Sequence, residues 1–306
     1  MKTVKFSRLA TGFASLVVAA TTAIAADNST TALMVVAHGS RNTNWNNRVI
    51  QTVEKLDWGG PKGVAFLTSP SPEHKLEQVA AQLDQSGVKR IVVVPLLVSS
   101  FSGHYEEIRY YVGQRKDMPH DGDEGDTEHV TAKPLKTKSP LFLTAAMDGH
   151  PLVSRILADD LKPFIKDAGK QSVVLVAHGP NEDGENEQWL KHLNAHARRL
   201  KEQFGLHRVE VVTLRDDAPK PIRDAATAQL RTTVERAKGD SQVLVLPVLI
   251  SVGHIQKQIQ KRLEGLEFTM VEGGLANHPL AAEWVRQQAV QAGAVNTAQR
   301  TTASLP

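Results

Sequence analysis

The sequence predicts an α/β protein of two tandem, homologous domains, each an open parallel sheet, facing a central cleft. Three observations predict it. One motif is written twice: Leu33-Met34-Val35-Val36-Ala37-His38-Gly39-Ser40 returns as Val173-Val174-Leu175-Val176-Ala177-His178-Gly179-Pro180. A second, Pro-containing apolar run also recurs: Val92-Val93-Val94-Pro95-Leu96-Leu97-Val98-Ser99, leading to Gly103-His104, returns as Val243-Leu244-Val245-Leu246-Pro247-Val248-Leu249-Ile250-Ser251, leading to Gly253-His254. These runs are apolar at consecutive positions and alternate with stretches of helical period. Strands buried on both faces and separated by helices indicate parallel sheets covered on both sides.

The elements follow in order. Lys2, Lys5 and Arg8 precede an uncharged run from Leu9 to Ala25 that closes on Ala23-Ile24-Ala25. This is the layout of a secretory signal peptide, residues 1–25, which makes a periplasmic or otherwise exported location the expectation. The alternative is an uncleaved anchor, for which this Ala- and Thr-rich run is short against a span of ~20 strongly apolar residues. The first domain occupies residues 31–168. After its first strand, Trp45, Val49, Val53 and Leu56 form a helical stripe. Gly63–Leu67 reads as the next strand, and Leu76, Val79, Ala80 and Leu83 as the next helix. The second domain, 171–291, repeats the plan with Trp189, Leu193, Ala197, Leu200 and Phe204, then Val209–Leu214, then Ile222, Ala225, Ala226 and Leu230. It carries four more residues between histidine and tryptophan. Gly149-His150-Pro151-Leu152 and Asn277-His278-Pro279-Leu280 each open a final helix, with Pro at its start. His150 and His278 are therefore expected to cap helices. An acidic insert near residues 118–133, flanked by His120 and His129, reads as a solvated loop, with a metal-gathering arm as the alternative. Residues 292–306, rich in Ala, Thr and Gln without apolar period, are expected to be a disordered tail.

Composition excludes several classes. The 36 Lys and Arg, less the three of the leader, leave 33 against 33 Asp and Glu, so no basic excess argues for nucleic acid or an anionic membrane. After signal cleavage no membrane segment is expected. The absence of cysteine removes thiolate nucleophiles, Zn–Cys clusters and iron–sulfur ligation. No Gly-x-Ser-x-Gly elbow and no His-Glu-x-x-His helix is present, which argues against a hydrolase. A histidine phosphotransfer site would carry Arg before His-Gly, where Ala37 and Ala177 stand.

His38, His104, His178 and His254 each fall just beyond a strand, where open parallel sheets collect their ligands. Gly39 and Gly179 permit close approach, and Ser40 is placed to cap the next helix. One such histidine is ordinary. Packing alone does not require histidine at both corresponding positions of both copies, so the set reads as metal ligands or catalytic groups.

These residues resemble the class II tetrapyrrole chelatases of the sirohydrochlorin cobaltochelatase and ferrochelatase (CbiX/SirB) type, in their long two-domain form. The marks are a strand ending in His-Gly-Ser, a Val-Val-Pro-Leu strand leading to Gly-x-His, and a late His-Pro. The resemblance implies a lyase that inserts a divalent metal, Co²⁺ first and Ni²⁺ or Fe²⁺ next, into a sirohydrochlorin-like tetrapyrrole lying between the halves. The metal is a substrate, and no organic cofactor is implied. His38 and His104 would hold it and accept protons, and His178 and His254 are their equivalents. Neutral imidazoles suit these ions, and a site with few protein ligands can give its metal up. Many members carry a Phe-Leu-Glu acid after the second strand. Here that register reads Phe66-Leu67-Thr68 and Thr213-Leu214-Arg215. Glu107, with Glu106 beside it, is the nearest substitute, and the second copy has Gln256 and Lys257 there. Ser40, Arg41 and Gly103 are candidate substrate contacts, and Arg41, Arg48 and Arg215 candidate carboxylate partners. A monomer with an internal pseudo-twofold is expected. The competing reading is an exported metal- or haem-binding protein without turnover.

Overall fold

A computed structural model describes residues 29–69, 71–119, 132–239 and 241–303, with residues 293–303 as backbone only. The leader, most of the acidic insert, His120 and His129 lie outside the described residues. Among the described residues no helix is long and apolar enough to cross a membrane.

The first half runs β1 (Thr31–Ala37), α1 (Thr43–Glu54), β2 (Lys62–Phe66), α2 (Leu76–Gln85), β3 (Arg90–Pro95), α3 (Gly103–Tyr111), β4 (Leu141–Leu143) and α4 (Pro151–Leu161). The second runs β5 (Gln171–Ala177), α5 (Asp183–Phe204), β6 (Arg208–Thr213), α6 (Lys220–Lys238), β7 (Gln242–Val248), α7 (His254–Arg262), β8 (Thr269–Met270) and α8 (Pro279–Ala303). Each half forms a four-stranded parallel sheet, ordered β2-β1-β3-β4 and β6-β5-β7-β8. The two parallel-sheet α/β domains expected from the doubled motif are present. The short β4 and β8 are additions that two or three residues cannot announce by pattern.

The register aligns the repeats. Val36 pairs with Pro95 and Val176 with Pro247, so each central strand ends level with the Pro-containing strand beside it. That alignment delivers the histidine after β1 and the loop after β3 to the same edge of the sheet.

The core divides by strand parity, because successive side chains point to opposite faces. Ala32, Met34, Val36, Ile91 and Val93 join α2 and α3 on the outer face of the first sheet. Val174, Val176, Val243 and Val245 do the same in the second half. The alternate positions, Leu33, Val35, Val92 and Val94 with Val173, Leu175, Leu244 and Leu246, enter one buried cluster common to both halves. Between them lie α4, through Leu152, Val153, Ile156 and Leu157, and α8, through Trp284 and Val285. The final helices are exchanged: α8 packs on β3 and α4 on β7. The division at 168/171 therefore separates two homologous sheets but cuts a single inner core.

Helix α8 continues to Ala303. One expectation needs correction here. Helix α1 is capped by Asn42, whose side chain accepts from Asn44 N at 3.0 Å, and not by Ser40. Ser40 lies two residues earlier and its hydroxyl accepts from Asn42 N at 3.0 Å. His150 and His278 do cap α4 and α8, accepting from Leu152 N and Leu280 N at 3.2 Å.

Candidate metal site

The corner after β1 is built around Gly39. Its φ of +88° lies in the left-handed region, and a Cβ there would stand 2.0 Å from the carbonyl oxygen of Thr68. Only glycine fits. The turn presses the chain onto the end of β2, where Thr68 N donates to the His38 carbonyl at 2.8 Å. Gly179 repeats this with φ +78° and a would-be Cβ 2.5 Å from Thr213 Cβ.

The structure brings His38 and His104 together, their ring centroids 4.4 Å apart and tilted by 51°. His38 Nδ1 lies 2.7 Å from the Gly39 carbonyl, so Nδ1 carries the proton and Nε2 keeps its lone pair. Burial first, then the neighbouring His104, pushes the His38 pKa down to about 4, against an opposing pull from the Gly39 carbonyl. The ring is neutral at neutral pH. His104 begins α3 beside the Ser102 cap, whose hydroxyl accepts from Tyr105 N at 3.3 Å. One turn on, the buried carboxylate of Glu107 faces His104 Nδ1 at 3.5 Å. A carboxylate behind an imidazole fixes the proton on the near nitrogen and leaves the far one for a ligand. His104 itself is 40% exposed and within reach of an incoming molecule.

Glu106 is differently placed. Its carboxylate is bound by Arg109 at 3.0 Å and Arg115 at 2.8 Å. Partial burial works to raise its pKa, but these arginine contacts outweigh it and hold the group below the ordinary carboxylate range. Of the two acids, only Glu107 addresses the histidines.

The second corner has the same residues and other partners. His178 Nδ1 again faces its glycine carbonyl, Gly179, at 2.9 Å, but Nε2 is engaged by Asp217 Oδ2 at 3.2 Å. His254 Nε2 lies 2.8 Å from the Gln258 side-chain nitrogen, four residues along α7. No group of three or more His, Asp or Glu suited to a metal occurs among the described residues. The four histidines thus form one ring pair plus two separately engaged rings, although His178 stands near enough for its charge to act on His38.

The candidate carboxylate partners are mostly committed elsewhere. Arg48 reaches across the halves to the Val252 carbonyl at 3.3 Å and Ser251 Oγ at 3.4 Å. Arg215, buried and with φ +51°, spends its guanidinium on Pro180 O, Asn181 O and Asp183. Arg41 is exposed beside the His38 corner, and Gly103 opens α3 next to His104. A separate cleft of about 650 Å³, lined by Thr68, Ser69, Lys75, Leu76, Tyr111 and Leu135 among others, shares Thr68 with this corner but contains no histidine.

Sequence reasoning passed over His192 and His196 on α5. His196 is buried between Ser154 Oγ, 2.7 Å from Nδ1, and the Asp148 carbonyl, 2.9 Å from Nε2, and burial above all lowers its pKa to about 4. The available signal was their spacing, three and seven residues beyond Trp189, on the flank of the apolar stripe.

These features define a two-half, parallel-sheet α/β protein with an open imidazole pair at one strand edge. Residues 32–163 match the CbiX family model. Among solved structures, SirB from Bacillus subtilis with Fe³⁺ is similar at a TM-score of 0.62 and 16% identity, covering 88% of this chain and 98% of that one. The sirohydrochlorin chelatase SirB from Bacillus subtilis subspecies spizizenii in complex with cobalt gives 0.58 and 14%, covering 86% and 94%. A multi-domain protein from Deinococcus radiodurans with structural similarity to chelatases gives 0.54 and 20%, covering 85% of this chain and 54% of that one. Identities this low show a common fold. No curated protein matches in sequence.

Proposed function

We propose that this protein is a metal chelatase, a lyase that inserts a divalent ion into a sirohydrochlorin-like tetrapyrrole. The observation that carries the reading is the His38–His104 pair, 4.4 Å between rings, each with its Nδ1 turned to a partner in its own half. The family match over residues 32–163 and the SirB-like fold support it. Two imidazoles hold a Co²⁺, Ni²⁺ or Fe²⁺ ion loosely enough to release it, whereas four closed ligands would trap it. Co²⁺ is the favoured substrate ion.

Metal insertion releases two protons from the pyrrole nitrogens. His38, neutral and poorly basic at a pKa of about 4, acts as ligand. Once the ion leaves the pair, His104 Nε2 and the Glu107 carboxylate, 3.5 Å from Nδ1 of the same ring, are placed to take the two protons. Arg41, the Ser40 hydroxyl and the Gly103 backbone lie where a carboxylate of the macrocycle would arrive. The chain works as an exported monomer, its two halves supplying the pseudo-twofold.

The test is to mix the mature protein with sirohydrochlorin and Co²⁺ and follow the absorbance spectrum. Acceleration that vanishes in His38→Ala and His104→Ala is expected. Tight Co²⁺ binding with no acceleration over the spontaneous reaction would instead favour the second reading, an exported metal- or haem-binding protein. Two observations speak for that alternative: Thr68 stands where the family's acid is expected, and Glu106 is neutralised by two arginines.

A further inference from the structure

His104 owes its place to a loop, and the loop is held from the other half of the molecule. Ser99–Ser102 connects β3 to α3. Within the first half, Ser100 N and Oγ donate to the two carboxylate oxygens of Asp148, both at 2.8 Å, and Ala146 N donates to Ser100 Oγ at 2.8 Å. From the second half, Trp189 Nε1 donates to the Phe101 carbonyl at 2.6 Å, and the His192 ring lies 5.7 Å from the Phe101 ring. His192 Nδ1 stands 3.4 Å from Asp148 Oδ1, and His196 Nε2 donates to the Asp148 carbonyl at 2.9 Å. Asp148 has a φ of +44°, a conformation that surrounding contacts must sustain. Among residues with a side chain, Asp and Asn tolerate it best.

A mirror brace runs the other way. Arg48 and Thr52 stand three and seven residues after Trp45, as His192 and His196 do after Trp189. They reach Ser251, Val252 and the Ala276 carbonyl, around the loop that precedes His254. The two braces have the same topology but serve unequal loops. From Pro95 to His104 is nine positions; from Pro247 to His254 it is seven. Only the longer loop sets its histidine against the strand-end partner.

We propose that Trp189, His192 and Asp148 are positioning residues for His104, so that the second half holds the first half's metal site in shape. The inference rests on His38 and His104 being the metal pair. Fixing a ligand through its supporting contacts commonly changes metal affinity without removing any ligand.

The experiment is a Co²⁺ titration of the full mature chain by calorimetry, with the cobalt visible spectrum and the melting temperature recorded on the same samples. Trp189→Phe keeps the ring and removes the donor; Asp148→Asn keeps the shape and the left-handed backbone. Each is expected to weaken Co²⁺ binding by about tenfold and to alter the visible bands. Thr52→Val, the mirror control, is expected to lower the melting temperature while leaving Co²⁺ affinity within about twofold, as its site is remote from the pair. If Co²⁺ affinity merely follows melting temperature across all three variants, or if Trp189→Phe and Asp148→Asn bind as the parent does, the proposal is wrong. A parent chain that binds no Co²⁺, or a His38→Ala chain that binds it unchanged, overturns the metal pair itself and this inference with it.

Discussion

The two histidine corners both follow an apolar strand ending in Val-Ala-His-Gly, yet they give their histidines different partners. In the first, His38 meets another imidazole across 4.4 Å and keeps Nε2 available. In the second, His178 gives Nε2 to Asp217, while His254 turns to Gln258. The first corner and the strand register do not explain the difference, since both halves use a left-handed glycine and the same pairing. What differs is the loop length before the second histidine and the residues around it. Glu107 stands three residues after His104, and Lys257 three after His254. Asp217 falls where the first half has Pro70. A repeat preserves the frame, and a few side chains decide which copy pairs its histidines.

Substitution of the histidines gives the largest effect and the most direct way to break this comparison. His38→Ala or His104→Ala should lower the rate of cobalt insertion by about 100-fold or more, as loss of a ligand does, whereas His178→Ala and His254→Ala should cost less than about tenfold. Equal losses at all four would show that both corners contribute. Next come the corner glycines. Gly39→Ala combines a left-handed backbone with a clash against backbone oxygen and should destabilise the fold by about 3 kcal/mol or more in urea unfolding. Gly179→Ala meets a side chain, Thr213, and should cost less.

Acid provides a third and smaller contrast. His196 titrates at about 4 in the fold and near its ordinary 6.5 when unfolded. Between those values the unfolded chain takes a proton that the fold refuses, so stability is full above pH 6.5 and falls as pH drops towards 4. His38 acts in the same direction. Asp160 acts oppositely: burial raises its pKa to about 6, so the fold binds a proton the unfolded chain lacks between its ordinary 3.8 and 6. Two histidines against one carboxyl predict a net loss on acidification. The drop in melting temperature from pH 7 to pH 5 should shrink in His196→Gln, while Thr52→Val, at the mirror position, should keep the parent's drop. The smallest effect belongs to Asp217→Asn. Its carboxylate is 67% exposed, so stability should change by less than about 1 kcal/mol. If the substitution produced a second strong Co²⁺ site, loop length would prove to matter less than the carboxylate.

Much of this was legible because burial on both faces writes itself into consecutive apolar residues. Leu33–Ala37 and Val173–Ala177 announced central strands, and Trp45 and Trp189 announced the helices that cross to the opposite half. The pairing of His38 with His104 followed from two strand ends, yet it needed β1 and β3 to be neighbours, which no local pattern states. The fate of His178 depended on Asp217, separated by an entire helix and strand. Arg48 and Arg215 looked available as surface arginines because sequence shows charge but not what the guanidinium will touch. The exchange of α4 and α8 was equally hidden, as an apolar helix face does not name its sheet.

That exchange links the two halves more closely than a tether would. Each sheet completes its inner face with a helix encoded in the other half, as protomers do in a domain-swapped dimer. In such a dimer every substitution appears twice, and the two sites must remain alike. Joined in one chain, the partners are free to diverge: one copy can bring its two histidines together while the other engages each of its own with a local side chain and lends its helix as support.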